Sequence, residues 1–170
     1  TKQEAPALIM ITDDWQDMFL SGTEVSGNCQ RIDGDPSWNQ CLVSECLDGK
    51  MQYVSIADSL TKKILANAEL KLLFIHTRSA EGTLLLEPAV FMERIYPSIV
   101  SEKYKAALYT LAKARAASLG LKLYEAKPPG GAARKVYILE SLGSSAPYEY
   151  EDGGEGITEG TYAIEGVLVS

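Results

Sequence analysis

The sequence predicts an α/β (α+β) domain with a mixed, mostly antiparallel central sheet that is flanked by helices on both faces. Two observations lead to this prediction. Residues 64–75 alternate between apolar and polar side chains, as a half-buried strand does. Residues 102–119 carry alanine and leucine at helical spacing, and the apolar stretch 121–126 follows directly. A strand, a long helix and a strand at this spacing indicate a βαβ crossover with parallel strands.

The length and composition fit one such domain. The chain has 170 residues, of which 46% are hydrophobic, so it can bury a core without disulfides or metals. We expect residues 1–7 to be a flexible N-terminal segment and residues 8–170 to form the domain. Because the chain begins with Thr1, we also expect it to be part of a longer protein.

The charge and cysteine content disfavour several classes of partner. Lys and Arg number 16 against 23 Asp and Glu, and the net charge of −7 disfavours nucleic acids and anionic membranes. No run of about 18 apolar residues could cross a bilayer. Three cysteines without a Cys-x-x-Cys pair indicate a reducing, cytoplasmic location. With a single histidine as well, the sequence predicts no metal site, and it indicates no oligomeric state.

The N-terminal part of the chain is predicted to be helical. A short apolar run at 8–11 precedes residues 12–13, which can cap a first helix that Gly22 would end. A glycine-rich loop at 21–36 then leads to a second helix, which stops before Gly49.

Three strands are predicted next. Residues 51–57 and 64–75 form a hairpin with one buried side. Residues 83–96 form the third strand, in which Pro88 requires an edge, a bulge or a bend. The polar residues of the second strand are assigned to the face opposite the buried one: Asn67, Glu69 and Lys71.

The C-terminal part alternates between breaks and short elements. The Pro-Pro-Gly-Gly sequence at 128–131 leads to a further predicted helix at 132–142. Two strands should complete the sheet, one centred on Tyr148 and one at 161–169. An acidic, glycine-rich loop at 151–159 separates them.

This order of elements resembles the GNAT family of N-acetyltransferases over residues 10–170. The strand pattern of 51–75 and 83–96 looks like the central strands of the family. Residues 104–124 look like its cofactor-side helix running into its fifth strand, and 133–143 is similar to its next helix. The resemblance implies acetyl-CoA or another acyl-CoA as cofactor, and a small-molecule or protein amine as substrate.

The loop before the long helix is where the resemblance implies that the cofactor binds. The family uses a (Q/R)-x-x-G-x-(G/A) loop, whose glycines let backbone N–H groups reach a pyrophosphate at a helix N-terminus. Here residues 96–104 read Tyr-Pro-Ser-Ile-Val-Ser-Glu-Lys-Tyr, without glycine or arginine, and Glu102 would repel phosphate. Serine hydroxyls and N–H groups remain available. The expected cofactor-binding residues are Tyr96, Ser98, Ile99, Val100, Ser101 and Lys103.

The resemblance also implies two catalytic side chains. Glu93, in Phe-Met-Glu-Arg-Ile-Tyr, lies where the strands of the family splay, and it could accept a proton from an amine. The alternative is a solvent-facing glutamate paired with Arg94 or Lys71. Many family members carry a tyrosine at the position of Leu139, and Tyr137, two residues earlier, is the candidate acid here.

Cys29 and His76 give a separate hypothesis. Cys29 lies in Gly-Asn-Cys-Gln, where an exposed thiol could act as a nucleophile if His76 served as its base. Asn28, Gln30 or backbone N–H groups would then form an oxyanion hole. The alternative is a loop cysteine and a strand-end histidine that do not meet.

Three classes of function therefore remain open. The first is a GNAT-like acyltransferase, or a diverged relative, that acts on an amine. The second is a non-catalytic binding or regulatory domain on the same scaffold. The third is a cysteine-dependent hydrolase or transferase that uses Cys29.

Overall fold

The computed structural model describes residues 6–130, 134–142 and 162–169, and these contain three helices and seven strands. The elements in chain order are β1 (Ala7–Thr12), α1 (Trp15–Glu24), α2 (Pro36–Leu47), β2 (Met51–Asp58), β3 (Ile64–Arg78), β4 (Leu84–Met92), α3 (Glu102–Ser118), β5 (Leu123–Ala126), β6 (Val136–Ser141) and β7 (Ala163–Leu168).

All of these strands join one mixed sheet in the order β1-β2-β3-β4-β5-β7-β6. Among the described strand pairs only β4–β5 is parallel, as the βαβ crossover requires. β6 also pairs with β3, so the strands β3, β4, β5, β7 and β6 close into a barrel. The predicted fold class, α/β (α+β) with a mostly antiparallel sheet and helices on both faces, is confirmed.

Helix α3 covers one face of the sheet. The Ser101 hydroxyl accepts a hydrogen bond from Tyr104 N at its start, and Gly120, at φ +70°, turns the chain after its end. Small side chains bring the helix close to the sheet. The stripe that packs on the core is Leu108, Ala112 and Ala116, and the facing strand residues include Val54, Ile56, Ala66, Ala68 and Leu70.

Strand β3 is buried on both faces, because α1 and α2 lie over the face opposite to α3. Asn67, Glu69 and Lys71 share that second face, and Lys71 is only 1% exposed. β2 and β3 form the predicted antiparallel hairpin. The prediction that the hairpin has one buried side is wrong, since the two N-terminal helices close the polar side as well.

Gly22 lies within α1 and does not end it, so the predicted end of the first helix is corrected to Glu24. The backbone of Gln30 crosses the helix at this point. A Cβ on Gly22 would lie 1.9 Å from Gln30 O. The glycine is therefore required for a close approach of two backbones, which fixes the loop before α2 against α1.

Residues 136–141 form strand β6, so the predicted helix at 132–142 is wrong. Val136, Tyr137 and Ile138 favour extended backbone, and the segment finds two partner strands, β3 and β7. Leu139 is fully buried inside the barrel. A Cβ on Gly166 of β7 would lie 2.2 Å from Leu139 Cδ1, so a glycine there makes room for this leucine.

Other predictions of the C-terminal part have mixed outcomes. The strand predicted at 161–169 is confirmed as β7. The strand around Tyr148 and the loop at 151–159 lie outside the described residues. In β4, residues 84–89 pair with β3 alone among the described strands, so Pro88 lies at an edge, as predicted. Over the described ranges, none of the helices is long and apolar enough to cross a membrane.

Candidate functional site

A cleft opens where the parallel strands β4 and β5 separate. Their pairing covers three residue pairs and ends with Met92 opposite Glu125. Beyond this point the chain at 93–95 diverges from β5, and the first half of α3 lies over the gap. The resulting cavity of about 380 Å³, bounded by residues 92–95, α3 and residues 125–129, is called the α3 cleft.

One stripe of α3 supplies the polar wall of this cleft. Lys105 and Tyr109 are one helical turn apart and line it, and Lys113 continues the stripe into an adjoining space of about 470 Å³, the α3 groove, which Arg134 also lines. Sequence reasoning missed this stripe, although the spacing of four residues was visible. It gives the cleft a cationic side that the loop before α3 lacks.

Tyr109 is held in the cleft by a carboxylate. Its hydroxyl donates a hydrogen bond to Glu125 Oε2, and Arg134 Nη1 lies 3.2 Å from Glu125 Oε1. Burial, together with the hydrogen bond to Glu125, raises the pKa of Tyr109 above its usual value. The phenol is therefore protonated at neutral pH, in a position where it can donate a proton.

A second, much smaller cavity of about 20 Å³ lies on the other side of the chain at 93–94. It is called the Asn67 cavity, and Glu93 and Arg94 line it as well as the α3 cleft. Its volume matches a single water molecule or one small chemical group. The residues that complete its wall come from the loop before α2 and from the sheet: Asn28, Cys29, Gln30, Tyr53, Asn67, Ala68, Glu69 and Tyr96.

Glu93 follows directly after β4 and is buried, with 6% of its surface exposed. Its Oε1 lies 3.0 Å from Lys71 Nζ, and the same ammonium lies 3.6 Å from Glu69 Oε2. Burial opposes the charge of Lys71, but Glu69 and Glu93 outweigh it and hold the pKa of Lys71 well above its usual value. The alternative interpretation of Glu93 predicted a solvent-facing pair with Arg94 or Lys71. The pair with Lys71 is present, but it is buried.

A third carboxylate, Glu45 of α2, approaches this group from the helical side. Its Oε2 accepts a hydrogen bond of 2.9 Å from the Tyr53 hydroxyl, and its Oε1 accepts one from Gln30 Nε2. Burial raises the pKa of Glu45 to about 7, against the opposing attraction of Lys71. Three carboxylates thus surround one lysine beneath the N-terminal helices.

The structure divides the expected cofactor residues among different places. Ser98 and Val100 line the α3 cleft, and Tyr96 lines the Asn67 cavity. Ile99 is 92% exposed, and Ser101 caps α3. Lys103 is exposed and is not part of the cleft wall. Lys105, two residues farther along the helix, does line the cleft.

Tyr137 lies in β6, away from the residues that line the cleft. Its ring packs edge-on against Tyr124 with the ring centroids 5.3 Å apart, and Lys135 Nζ lies 4.9 Å from its centroid. Because the predicted helix is a strand, Tyr137 is part of the barrel wall. The tyrosine that the structure brings to the cleft is Tyr109.

Cys29 and His76 are not brought together. Cys29 lines the Asn67 cavity, beside Glu69. His76 lies seven residues farther along β3, roughly 20 Å away at about 3.3 Å per residue, and its Nε2 is 2.6 Å from Glu140 Oε2. The thiol nucleophile hypothesis therefore lacks the base on which it depended.

The other cysteines are protected from ionisation. Burial, with a contribution from Glu45, raises the pKa of Cys41 to about 12 and that of Cys46 to about 11. Within the described ranges, no three His, Cys, Asp or Glu side chains are grouped as metal ligands would be.

Comparisons with known proteins give a sparse result. No protein-family model and no curated protein sequence matches this chain. Among solved structures, that of a mutant AtaT toxin is similar with 15% sequence identity and a TM-score of 0.40, over 97% of this chain and 93% of that chain. A likeness at this TM-score carries no argument about activity.

Proposed function

We propose that this protein is a GNAT-like acyltransferase, or a diverged relative of one, that transfers an acyl group from an acyl-CoA thioester to an amine. The observation that supports the proposal is the position of Glu93, which forms part of the wall of both the α3 cleft and the Asn67 cavity. A thioester in the cleft and an amine entering from the cavity would meet beside this carboxylate.

The α3 cleft suits a long ligand with amide groups and phosphates. The pairing of β4 with β5 stops at Met92, and the space that opens beside residues 93–95 can accommodate an extended, amide-containing chain. Lys105, Lys113 and Arg134 lie along one side. The phosphates would lie along these cations, although Glu102 lines the α3 cleft as well.

Glu93 and Tyr109 supply the acid–base chemistry of the proposed reaction. The amine nitrogen attacks the thioester carbonyl, and as the C–N bond forms its proton passes to Glu93. The C–S bond breaks, and the Tyr109 hydroxyl gives its proton to the leaving sulfur. Exchange with solvent returns both side chains to their starting state. Tyr109 takes the role predicted for Tyr137 because it lines the α3 cleft.

Binding of acetyl-CoA, measured by thermal shift and by calorimetry, tests the proposal. A ligand that binds only the folded protein raises its stability by about 2.7 kcal/mol at 100 times its Kd. We expect a saturable rise in Tm with acetyl-CoA. Lys105→Ala should increase the Kd for acetyl-CoA several-fold, because it removes a phosphate contact. Lys103→Ala is the matched control, since Lys103 is on the same helix but outside the cleft.

The opposite result supports the second class of function. If acetyl-CoA and free CoA at millimolar concentration leave Tm unchanged, the scaffold is a non-catalytic binding or regulatory domain, and Lys105→Ala will behave like Lys103→Ala.

A further inference from the structure

Asn67 combines complete burial with an unsatisfied side chain. It is 0% exposed, and neither its Oδ1 nor its Nδ2 has a hydrogen-bond partner in the described parts of the chain. A buried amide without partners lowers the stability of a fold, and native proteins therefore rarely retain one. A leucine of similar size would fill the position without that loss, so the amide must serve a purpose that the isolated chain does not satisfy.

The backbone of Asn67 is fixed and cannot bring the side chain to solvent. Asn67 N donates to Tyr96 O at 2.8 Å, and Tyr96 N donates to Asn67 O at 2.8 Å. These two backbone hydrogen bonds hold the middle of β3 against the segment that follows β4. The alternation of β3 places the Asn67 side chain on the face of Glu69 and Lys71, under the N-terminal helices.

The cavity that Asn67 lines limits what could satisfy the amide. A volume of about 20 Å³ admits one small group and excludes a ring or a branched side chain. Two carboxylates, Glu69 and Glu93, line the same cavity, against one guanidinium, Arg94. The two carboxylates and Asn67 Oδ1 form a surface rich in hydrogen-bond acceptors. This surface suits a group that carries several N–H donors, and it repels an anion.

We propose that Asn67 binds the amino group of the acyl acceptor, and that the acceptor is an unbranched primary amine. Oδ1 of Asn67 accepts a hydrogen bond from the amine nitrogen and places it next to Glu93. This inference rests on the proposed acyltransferase function for the reaction, but the binding of the amine can be measured without it. The small cavity receives the amino end only, and the rest of the acceptor remains outside.

Solution NMR of the wild-type protein tests this directly. The side-chain NH₂ signals of Asn67, assigned through its own Cα and Cβ, are followed while methylammonium chloride is added to about 100 mM, since a ligand of two heavy atoms binds at best in the millimolar range. Tetramethylammonium chloride at equal concentration is the control, because it has the charge but no N–H. Asn39, whose Nδ2 donates to Ile32 O, is the control residue.

We expect a saturable shift of the Asn67 signals with methylammonium, and none with tetramethylammonium or at Asn39. Equal shifts with both cations, or no shift of Asn67 with either, would overturn the proposal. A parallel titration with acetyl-CoA separates the two ideas. Binding of acetyl-CoA without any effect of methylammonium at Asn67 refutes this inference alone, and the reverse result refutes the proposed acyl transfer while the amine site stands.

Once an amine substrate is known, kinetics give a second measurement. Asn67→Ala should raise the KM for the amine about tenfold, the loss of one hydrogen bond to a charged or polar group. The KM for acetyl-CoA should stay within about twofold, because Asn67 does not line the α3 cleft. A rise in both constants together would contradict a role in amine binding.

Discussion

Lys71 Nζ lies 3.0 Å from Glu93 Oε1, and both side chains are closed off from solvent. This ion pair joins the middle of β3 to the residue that follows β4, at the point where the α3 cleft opens. Each charge depends on the other, because an ion buried without a partner is strongly destabilising. The pair therefore links the stability of the fold to the position of the proposed base.

Removing the ammonium should lower the free energy of unfolding. In Lys71→Met, Glu69 and Glu93 remain buried without their cation, and we expect a loss of about 3–5 kcal/mol, measured by urea denaturation. Lys127→Met is the control, because its pair with Glu165 is half exposed and should contribute less than about 1 kcal/mol. Equal urea midpoints for the two variants would contradict a stabilising role of the buried pair.

The stability of the protein should fall as the pH rises through neutrality. Glu45 has an ordinary pKa of 4.5, which the fold raises to about 7 through burial. Between these values the folded chain holds a proton that the unfolded chain has released. The contribution of Glu45 to the free energy of unfolding is therefore complete below pH 4.5 and is lost as the pH rises through about 7.

Glu45→Gln should flatten this dependence. The variant stays uncharged, so at pH 8 it should be more stable than the wild type by about 3 kcal/mol at most. The measurement is the free energy of unfolding at about pH 5, 6.5 and 8. Glu87→Gln, an exposed strand position, should keep the slope of the wild type. If the free energy of unfolding of Glu45→Gln depends on pH as in the wild type, groups other than Glu45 control that dependence.

Glu93→Gln should slow acyl transfer without preventing cofactor binding. General-base catalysis contributes about 10²–10⁴-fold, so kcat should fall by about that factor while the Kd for acetyl-CoA stays unchanged. Glu87→Gln again provides the control, since Glu87 lies in β4 but away from both cavities. A kcat within twofold of the wild type would remove Glu93 from the reaction.

Two tyrosine variants distinguish the acid indicated by the structure from the one indicated by the sequence. Tyr109→Phe should reduce kcat by at least about tenfold, because it removes a proton donor from the cleft wall. Tyr137→Phe should leave kcat unchanged, since Tyr137 packs on Tyr124 in the barrel. If Tyr137→Phe is the slower enzyme, the placement of the acid proposed here is wrong.

Gly22→Ala should destabilise the protein although alanine favours helices. The new Cβ would lie 1.9 Å from Gln30 O, so the loop before α2 must shift and carry Gln30 away from Glu45. We expect a net loss of about 1–3 kcal/mol in thermal unfolding. Gly49→Ala, where a Cβ would meet nothing within 4 Å, should be close to neutral. A stabilised Gly22→Ala would mean that the loop moves freely.

The elements that the sequence predicted well are those with a long, regular pattern. The alternation in β3 and the alanine-rich stripe of α3 extend over many residues, so each is recognisable alone. The short elements were harder to predict. The apolar run in β1 has only six residues, and β6 is extended because two strands pair with it, which a local pattern does not reveal.

The candidate site was predictable only in part, for a related reason. Glu93 could be found from its place after a strand. Asn67 and Lys71 were assigned to the polar side of a hairpin, since polar side chains alternating with apolar ones indicate a face in water. Their burial follows from the position of two helices that precede them in the chain, and that is a property of the tertiary structure.

The closure of the barrel by β6 has a consequence for how the chain folds. β2, β3 and β4 are consecutive and pair with their neighbours, so they can assemble early from local contacts. The pairing of Leu73 with Ser141 joins distant parts of the chain. The entropy cost of closing this long loop must be overcome before the strand pairing can stabilise the fold. We expect the β3–β6 pairing to form last and to limit the folding rate. A nascent chain would then expose the inner wall of the barrel until its C-terminal strands have been synthesised and have paired.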